Sequence, residues 1–264
     1  YLKIAEGCSN CCTYCAIPMI RGKFRSVPME DILREARYLA ENGVTELVVI
    51  AQDTAQYGKD LYGEQKLPEL LSELCRIEGL RWIRTLYCYP ERITDELLDV
   101  IAREDKLVKY LEIPIQHCNG EILKRMNRRY TVEKYLSQVE YIREKSPDFS
   151  LTTDLIVGFP DESEEDFQAT LDIISKVRYD NMYSFIYSKR TGTPAAVMPD
   201  QVPESVTKER FARLMAAVQE SAKEDLDDLT GKCLPVLVEE NDSGREGSVA
   251  GRLTYNTLVH FPVP

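Results

Sequence analysis

The sequence predicts an α/β fold built from six βα units. Strand-like runs occur six times along the chain, with helical patterns between them. The runs are strongly apolar, as in "ELVVIA" (46–51), which suits a parallel sheet buried on both faces. Four cysteines follow directly after the first run, at the strand end where such folds carry chemistry. Six units in this order imply right-handed crossovers. They fit either an incomplete TIM-like barrel or a doubly wound open sheet, and periodicity does not choose between them.

The strand candidates are "LKIAE" (2–6), "ELVVIA" (46–51), "WIRTLY" (82–87), "YLEIPI" (110–115), "LTTDLIVG" (151–158) and "MYSFIY" (182–187). The first helix is read from Ile32, Leu33, Ala36, Leu39 and Ala40, which share one face, with Gly43 as a stop signal. "LPELLSELCRI" repeats the pattern, and "TDELLDVIA" starts at a plausible cap, Thr94. "TVEKYLSQVEYIREK" supplies another helix. Ser163, three residues before Asp166, opens a further one with a capping-box pattern. The stretch 199–228 reads as a proline-started connecting helix. Beyond it, "KCLPVLVEE" and "RLTYNTLVHFPVP" flank the turn-rich "NDSGREG" in a β-hairpin pattern. We place one domain at 1–226 and the start of a small, incomplete β-domain at 227–264.

The 264 residues are 44% hydrophobic and 29% charged, the balance of a soluble globular chain. No apolar run approaches the roughly 18 residues that span a membrane, and no signal peptide is visible. The chain opens on Tyr1 inside an apparent strand and ends at Pro264 in mid-pattern, so it reads as a fragment that leaves room for an upstream targeting segment. A formal net charge of −11 disfavours nonspecific nucleic-acid binding by the whole surface and suits a basic partner.

Of the eight cysteines, Cys75, Cys88, Cys118 and Cys233 are scattered and read as small buried hydrophobes. Cys8, Cys12 and Cys15 are spaced C-x3-C-x2-C. Three thiolates on a tight loop can hold three metal positions and leave a fourth open. Structural zinc prefers four ligands, and no second cysteine pair is present. A redox pair at Cys12/Cys15 or Cys8/Cys11 is disfavoured too, because neither sits at a helix start with thioredoxin-like surroundings, and the spacing points to an iron–sulfur cluster.

"GCSNCCTYCAIPMIRG" resembles the cluster loop of radical SAM enzymes, with Tyr14 at the aromatic position before the last cysteine. "RGKFRSVP", "AQDTAQYG", "IPIQH", "LKRMNRRYT", "TTDLIVGFPDESEEDF" and "YSKRTGTPAAVMPDQVP" resemble blocks of the methylthiotransferase branch. The resemblance implies a six-unit partial TIM-like radical SAM barrel followed by a truncated, TRAM-like β-domain. It implies a 4Fe-4S cluster on Cys8, Cys12 and Cys15, with Cys11 outside the ligand set. S-adenosylmethionine would bind the open iron and yield a 5′-deoxyadenosyl radical on reduction, with flavodoxin or ferredoxin as a donor. Gln52 and Asp53 fall at the methionine end of the cofactor, Gln116 near its ribose and Gly158 on the adenine side. His117 reads as a structural histidine.

Two basic groups stand out. Arg21, Lys23 and Arg25 follow the cluster loop; Lys124, Arg125, Arg128 and Arg129 form the second. We take Arg21, Arg25, Arg128 and Arg129 as substrate contacts. "QDTAQYG", "YCYPERITDELL" and "IPIQH" resemble the branch that modifies an aspartate of a small-subunit ribosomal protein. "LKRMNRRYT", "FIYSKRTGTPAA" and "GRLTYNTLVHFP" resemble the branch that modifies an isopentenylated adenosine of tRNA. The acidic balance favours the basic ribosomal protein. The resemblance also implies a cytoplasmic enzyme with a second 4Fe-4S cluster, held by three cysteines of an N-terminal domain missing from this chain.

Overall fold

The computed structural model describes residues 1–241 and 247–262. Six strands form the body: β1 (Leu2–Lys3), β2 (Glu46–Ile50), β3 (Trp82–Thr85), β4 (Tyr110–Glu112), β5 (Ser150–Val157) and β6 (Asn181–Ile186). Every ladder among them is parallel and joins sequence neighbours, as in Leu2↔Val49, Leu47↔Ile83, Leu111↔Leu151 and Asp154↔Tyr183. β3 and β4 meet through a parallel bridge, Ile83↔Leu107, and through Cys88 N donating to Glu112 O at 2.9 Å. A doubly wound sheet reverses its strand order at a switch point. No reversal occurs here, so the architecture is a partial barrel. Among the described residues no ladder returns from β6 to β1.

Alternation sorts each strand into two faces. Leu47, Val49, Ile83, Leu111, Leu151 and Leu155 join Ile32, Leu71, Leu97, Tyr135, Phe167 and Ile174 of the helices in one core. The other face lines the barrel and carries buried polar groups among apolar ones. Arg84 pairs with Glu46 at 3.0 Å, lies 5.1 Å from the Tyr110 ring, and Tyr110 Oη meets Thr152 Oγ1 at 3.1 Å. All eight residues of β5 are buried.

The helix signals are realised. Thr94 Oγ1 accepts from Leu97 N at 3.2 Å, and Ser163 and Asp166 close a reciprocal capping box. Met29–Glu41 stops before Gly43, whose φ of +87° only glycine adopts freely. The long helix Glu204–Leu229 packs across β5 and β6.

Two segments differ from the expectation. "LKIAE" does not remain one strand: it leaves the sheet at Ile4, and Ala5–Glu6 pairs antiparallel with Arg25–Ser26. The C-terminal segment is a three-stranded meander rather than one hairpin: β7 (Val236–Asn241), β8 (Ser248–Leu253) and β9 (Leu258–Pro262). "RLTYNTLVHFP" breaks where Asn256 takes φ +66° and Leu253 N donates to Thr257 O at 3.0 Å. Asn tolerates that conformation, so "YNT" is the turn signal. The core of the "NDSGREG" turn, 242–246, lies outside the described residues. The second turn closes on the barrel: Arg84 Nη1 donates to Thr254 O at 2.7 Å.

Candidate active site at the cysteine loop

The loop from Cys8 to Cys15 rises from the two-residue ribbon after β1 and is anchored on several sides. Gly7 has φ +78°, and a Cβ there would lie 2.3 Å from Lys23 O, so no side chain fits. Cys8 N donates to Gly22 O at 3.1 Å, and Phe24 N donates to Ser9 Oγ at 3.1 Å. Thr13 N donates to Met126 O at 3.1 Å, Ala195 N to Thr13 O at 3.0 Å, and Asn127 Nδ2 to Cys11 O at 2.9 Å. The loop is thereby fixed by residues more than a hundred positions away in sequence.

These anchors sort the four cysteines. Cys8 and Cys12 are buried at 6% and 5% exposure, Cys15 is half-buried, and Cys11, at φ +53°, is exposed. Burial pushes the Cys8 thiol up to about 11 and raises Cys15 as well. Thiols so disfavoured as anions ionise when a metal takes the proton's place. Among the described residues no three His, Cys, Asp or Glu side chains converge on one point, as a single zinc ion demands. A cubane instead asks each thiolate to reach a different iron, and a loop with two buried cysteines and a third half-buried suits that donor set.

Cys12 has the most elaborate surroundings. Tyr89 Oη lies 3.4 Å from its sulfur and Arg128 Nη1 3.9 Å. Arg128 is 3% exposed, its guanidinium 4.1 Å from the Tyr89 ring, and it donates to Pro114 O. The second basic group is therefore divided. Lys124 pairs with Glu121 at 2.5 Å and Arg125 with Asp161, Arg129 is exposed, and Arg128 is buried against the cysteine loop. Arg21 and Arg25 are exposed beside the loop; Arg21 lies 3.5 Å from Glu6, and Arg25 donates to Lys23 O at 3.0 Å.

The strand ends supply the remaining walls. Gln52 is exposed. Asp53 is fully buried, paired with Arg92 at 2.7 Å and accepting from Asn10 Nδ2 at 3.2 Å, so it locks β2 to the cysteine loop. Burial raises its carboxyl despite that arginine. Gln116 sits at φ +67°, and its Nε2 donates to Asp154 Oδ2 at 3.4 Å. Tyr14 meets Phe159 edge-on at 6.4 Å between ring centroids, and Phe159 packs likewise on Tyr187. Gly158, at φ +78°, is pressed against Thr207 of the long helix, and its N–H donates to Glu162 Oε2 at 3.0 Å.

His117 is fully buried. Its Nδ1 accepts from Asn119 N at 3.0 Å, which leaves Nε2 to donate to Glu162 at 3.3 Å. Glu162 also takes Arg210 at 2.9 Å. This network is structural, as read from the sequence.

Sequence reasoning missed Tyr89, Arg92, Glu112 and Asp154. Asp154 is the one carboxylate in a buried strand, and alternation turns it into the barrel beside Glu112. Burial, then the charge of Asp154, pushes Glu112 up to about 7. Burial raises Asp154 too, although Tyr87 and Gln116 donate to it. Period-two reading of "YLEIPI" against "LTTDLIV" was the available signal.

The family model of the radical SAM superfamily matches residues 2–174. The chain belongs to the radical SAM superfamily. It is 48% identical over 244 residues to the ribosomal protein uS12 methylthiotransferase RimO of Alkaliphilus oremlandii, covering 92% of this chain and 56% of that protein. The namesake of Clostridioides difficile is 50% identical over 240 residues, covering 91% and 54%. The chain thus spans about half the length of the curated relatives it matches. Among solved structures, the radical S-adenosylmethionine methyltransferase TsrM of Kitasatospora setae aligns with a TM-score of 0.61 at 18% identity, covering 74% of this chain and 38% of that one. Coproporphyrinogen III oxidase HemN of Escherichia coli aligns at 0.54 and 20%, covering 73% and 46%. At such identities the likeness shows the radical SAM fold alone. Among the described residues no helix is long and apolar enough to cross a membrane.

Proposed function

We propose that this chain is the catalytic core of a radical SAM methylthiotransferase that modifies an aspartate of a small-subunit ribosomal protein. The observation that carries the reading is the cysteine loop. Cys8 and Cys12 are buried and Cys15 half-buried at the C-terminal mouth of a sequential parallel barrel, while Cys11 is exposed. A 4Fe-4S cluster with one open iron, when bound there, supplies the electron that cleaves S-adenosylmethionine and so activates an unreactive C–H bond. The chain's own residues hold and shield that chemistry. The anchors at Gly7, Thr13 and Asn127 fix the loop. Tyr14, Phe159 and Tyr187 form an aromatic wall that keeps water out. Gln116, Glu112 and Asp154 line the barrel with groups suited to polar atoms of cofactor and substrate.

The relatives named for uS12 methylthiolation, together with the acidic charge of −11, support the basic ribosomal substrate. In this reading the enzyme is cytoplasmic, a flavodoxin- or ferredoxin-like protein delivers the electron, and sulfur comes from a second 4Fe-4S cluster on an N-terminal domain outside this sequence. The test gives the anaerobically reconstituted full-length protein S-adenosylmethionine, reductant, and either uS12 or tRNA. Mass spectrometry should find the methylthio group on a uS12 aspartate. Modification of tRNA, or of neither, sinks the proposal. Iron content separates the ligands: Cys11→Ser should keep the iron of both clusters, and Cys12→Ala should lose that of one.

A further inference from the structure

Arg128 is a buried cation, 3% exposed, that makes no ion pair among the described residues. Its Nε has no acceptor, and its Nη2 goes to a neutral carbonyl, Pro114 O. The faces of Tyr89 and Tyr130, at 4.1 and 5.5 Å, offset part of the desolvation but carry no net charge. A guanidinium left this way is costly unless a negative group completes the site. The group in contact is the Cys12 sulfur, 3.9 Å from Nη1 and 3.4 Å from Tyr89 Oη, while the Asp154 carboxylate feels the same charge without pairing with it. Among the described residues, no charged side chain donates in this way to the sulfur of Cys8 or Cys15.

We propose that Arg128 is a positioning residue for the cluster: it is the fixed counter-charge at the Cys12 thiolate, and with Tyr89 it sets the reduction potential of the centre. This rests on the cluster reading given above. Charge and hydrogen bonds at the ligand sulfurs, together with solvent exposure, tune iron–sulfur potentials. A buried cation beside one ligand favours the reduced, more negative state, so it raises the potential. The direct contact is to Cys12, while the same charge also acts through space on Cys15. It also explains why Arg128 stands apart from its exposed neighbour Arg129.

The test compares full-length wild-type protein, Arg128→Met and Arg128→Lys after anaerobic reconstitution. Iron and sulfide content is measured first, then, by EPR-monitored reductive titration, the midpoint potential of the cluster whose signal is lost in Cys12→Ala. Arg128→Met should shift the midpoint to more negative potential at wild-type iron content, and Arg128→Lys should stay close to wild type. An unchanged midpoint in Arg128→Met, or an equal shift in Arg128→Lys, overturns the proposal. Should Arg128→Met fail to hold the cluster, full iron in Arg128→Lys supports a need for charge, and cluster loss in both shows that shape alone matters and overturns it. If wild type itself assembles no cluster, it is the underlying functional reading that fails.

Discussion

Changing Gly158 to alanine tests how the fifth strand end is held. Gly158 has φ +78°, and an added Cβ would stand 2.6 Å from Thr207 Cγ2 and 2.7 Å from Thr207 Oγ1. Two costs add. Placing a residue with a Cβ in the left-handed region costs about 1–2 kcal/mol. Overpacking against a neighbour costs about 1–3 kcal/mol. Thr207 yields poorly, because it is buried and its hydroxyl donates to Pro203 O at 3.2 Å in the first turn of the long helix. Gly158→Ala should therefore lose about 3 kcal/mol, read as a lower urea midpoint with an unchanged m-value. The double variant Gly158→Ala/Thr207→Ala separates the terms. It removes the collision and leaves the backbone strain, so the cycle should show about 1–2 kcal/mol of favourable coupling. A loss under about 1 kcal/mol in the single variant would refute the backbone argument. Zero coupling would show that Thr207 is not what excludes the side chain.

Two further perturbations address the buried charges. Arg92→Ala strands Asp53, which is fully buried, with only Asn10 and the Tyr89 amide as partners. Breaking such a pair costs about 3–5 kcal/mol, and the ability of Asp53 to take up a proton keeps the loss near 3 in equilibrium unfolding. Glu112 holds its proton up to about pH 7 in the folded chain, whereas the unfolded chain releases it near 4.5. Its contribution is complete below about pH 4.5 and is lost as the pH rises through about 7. Urea midpoints should therefore fall between pH 5 and 7 by less in Glu112→Gln than in wild type, and identical profiles would contradict the burial of that carboxyl.

The six-unit rhythm was legible because strand and helix periods are local properties of "ELVVIA" or "ILREARYLA". So were the caps at Thr94 and Ser163, since each spans only three residues. The cysteine spacing was equally local. The split of "RLTYNTLVHFP" at Asn256 was missed because its apolar residues on both sides outweigh a single turn-forming asparagine. The basic run 124–129 looked like one surface in the sequence. In space Lys124 and Arg125 are paired with acids, and Arg128 turns inward.

Local chemistry by itself determined that this chain builds βα units and sets three thiols close together after the first strand. Only tertiary structure decided that the strands follow in unbroken order around a barrel, that Cys11 points away, and that Arg128 reaches Cys12 across 116 residues. The physical reason is range. Periodicity and capping act over a few residues, whereas burial, charge pairing and the close approach of Gly158 to Thr207 exist only once distant segments have packed.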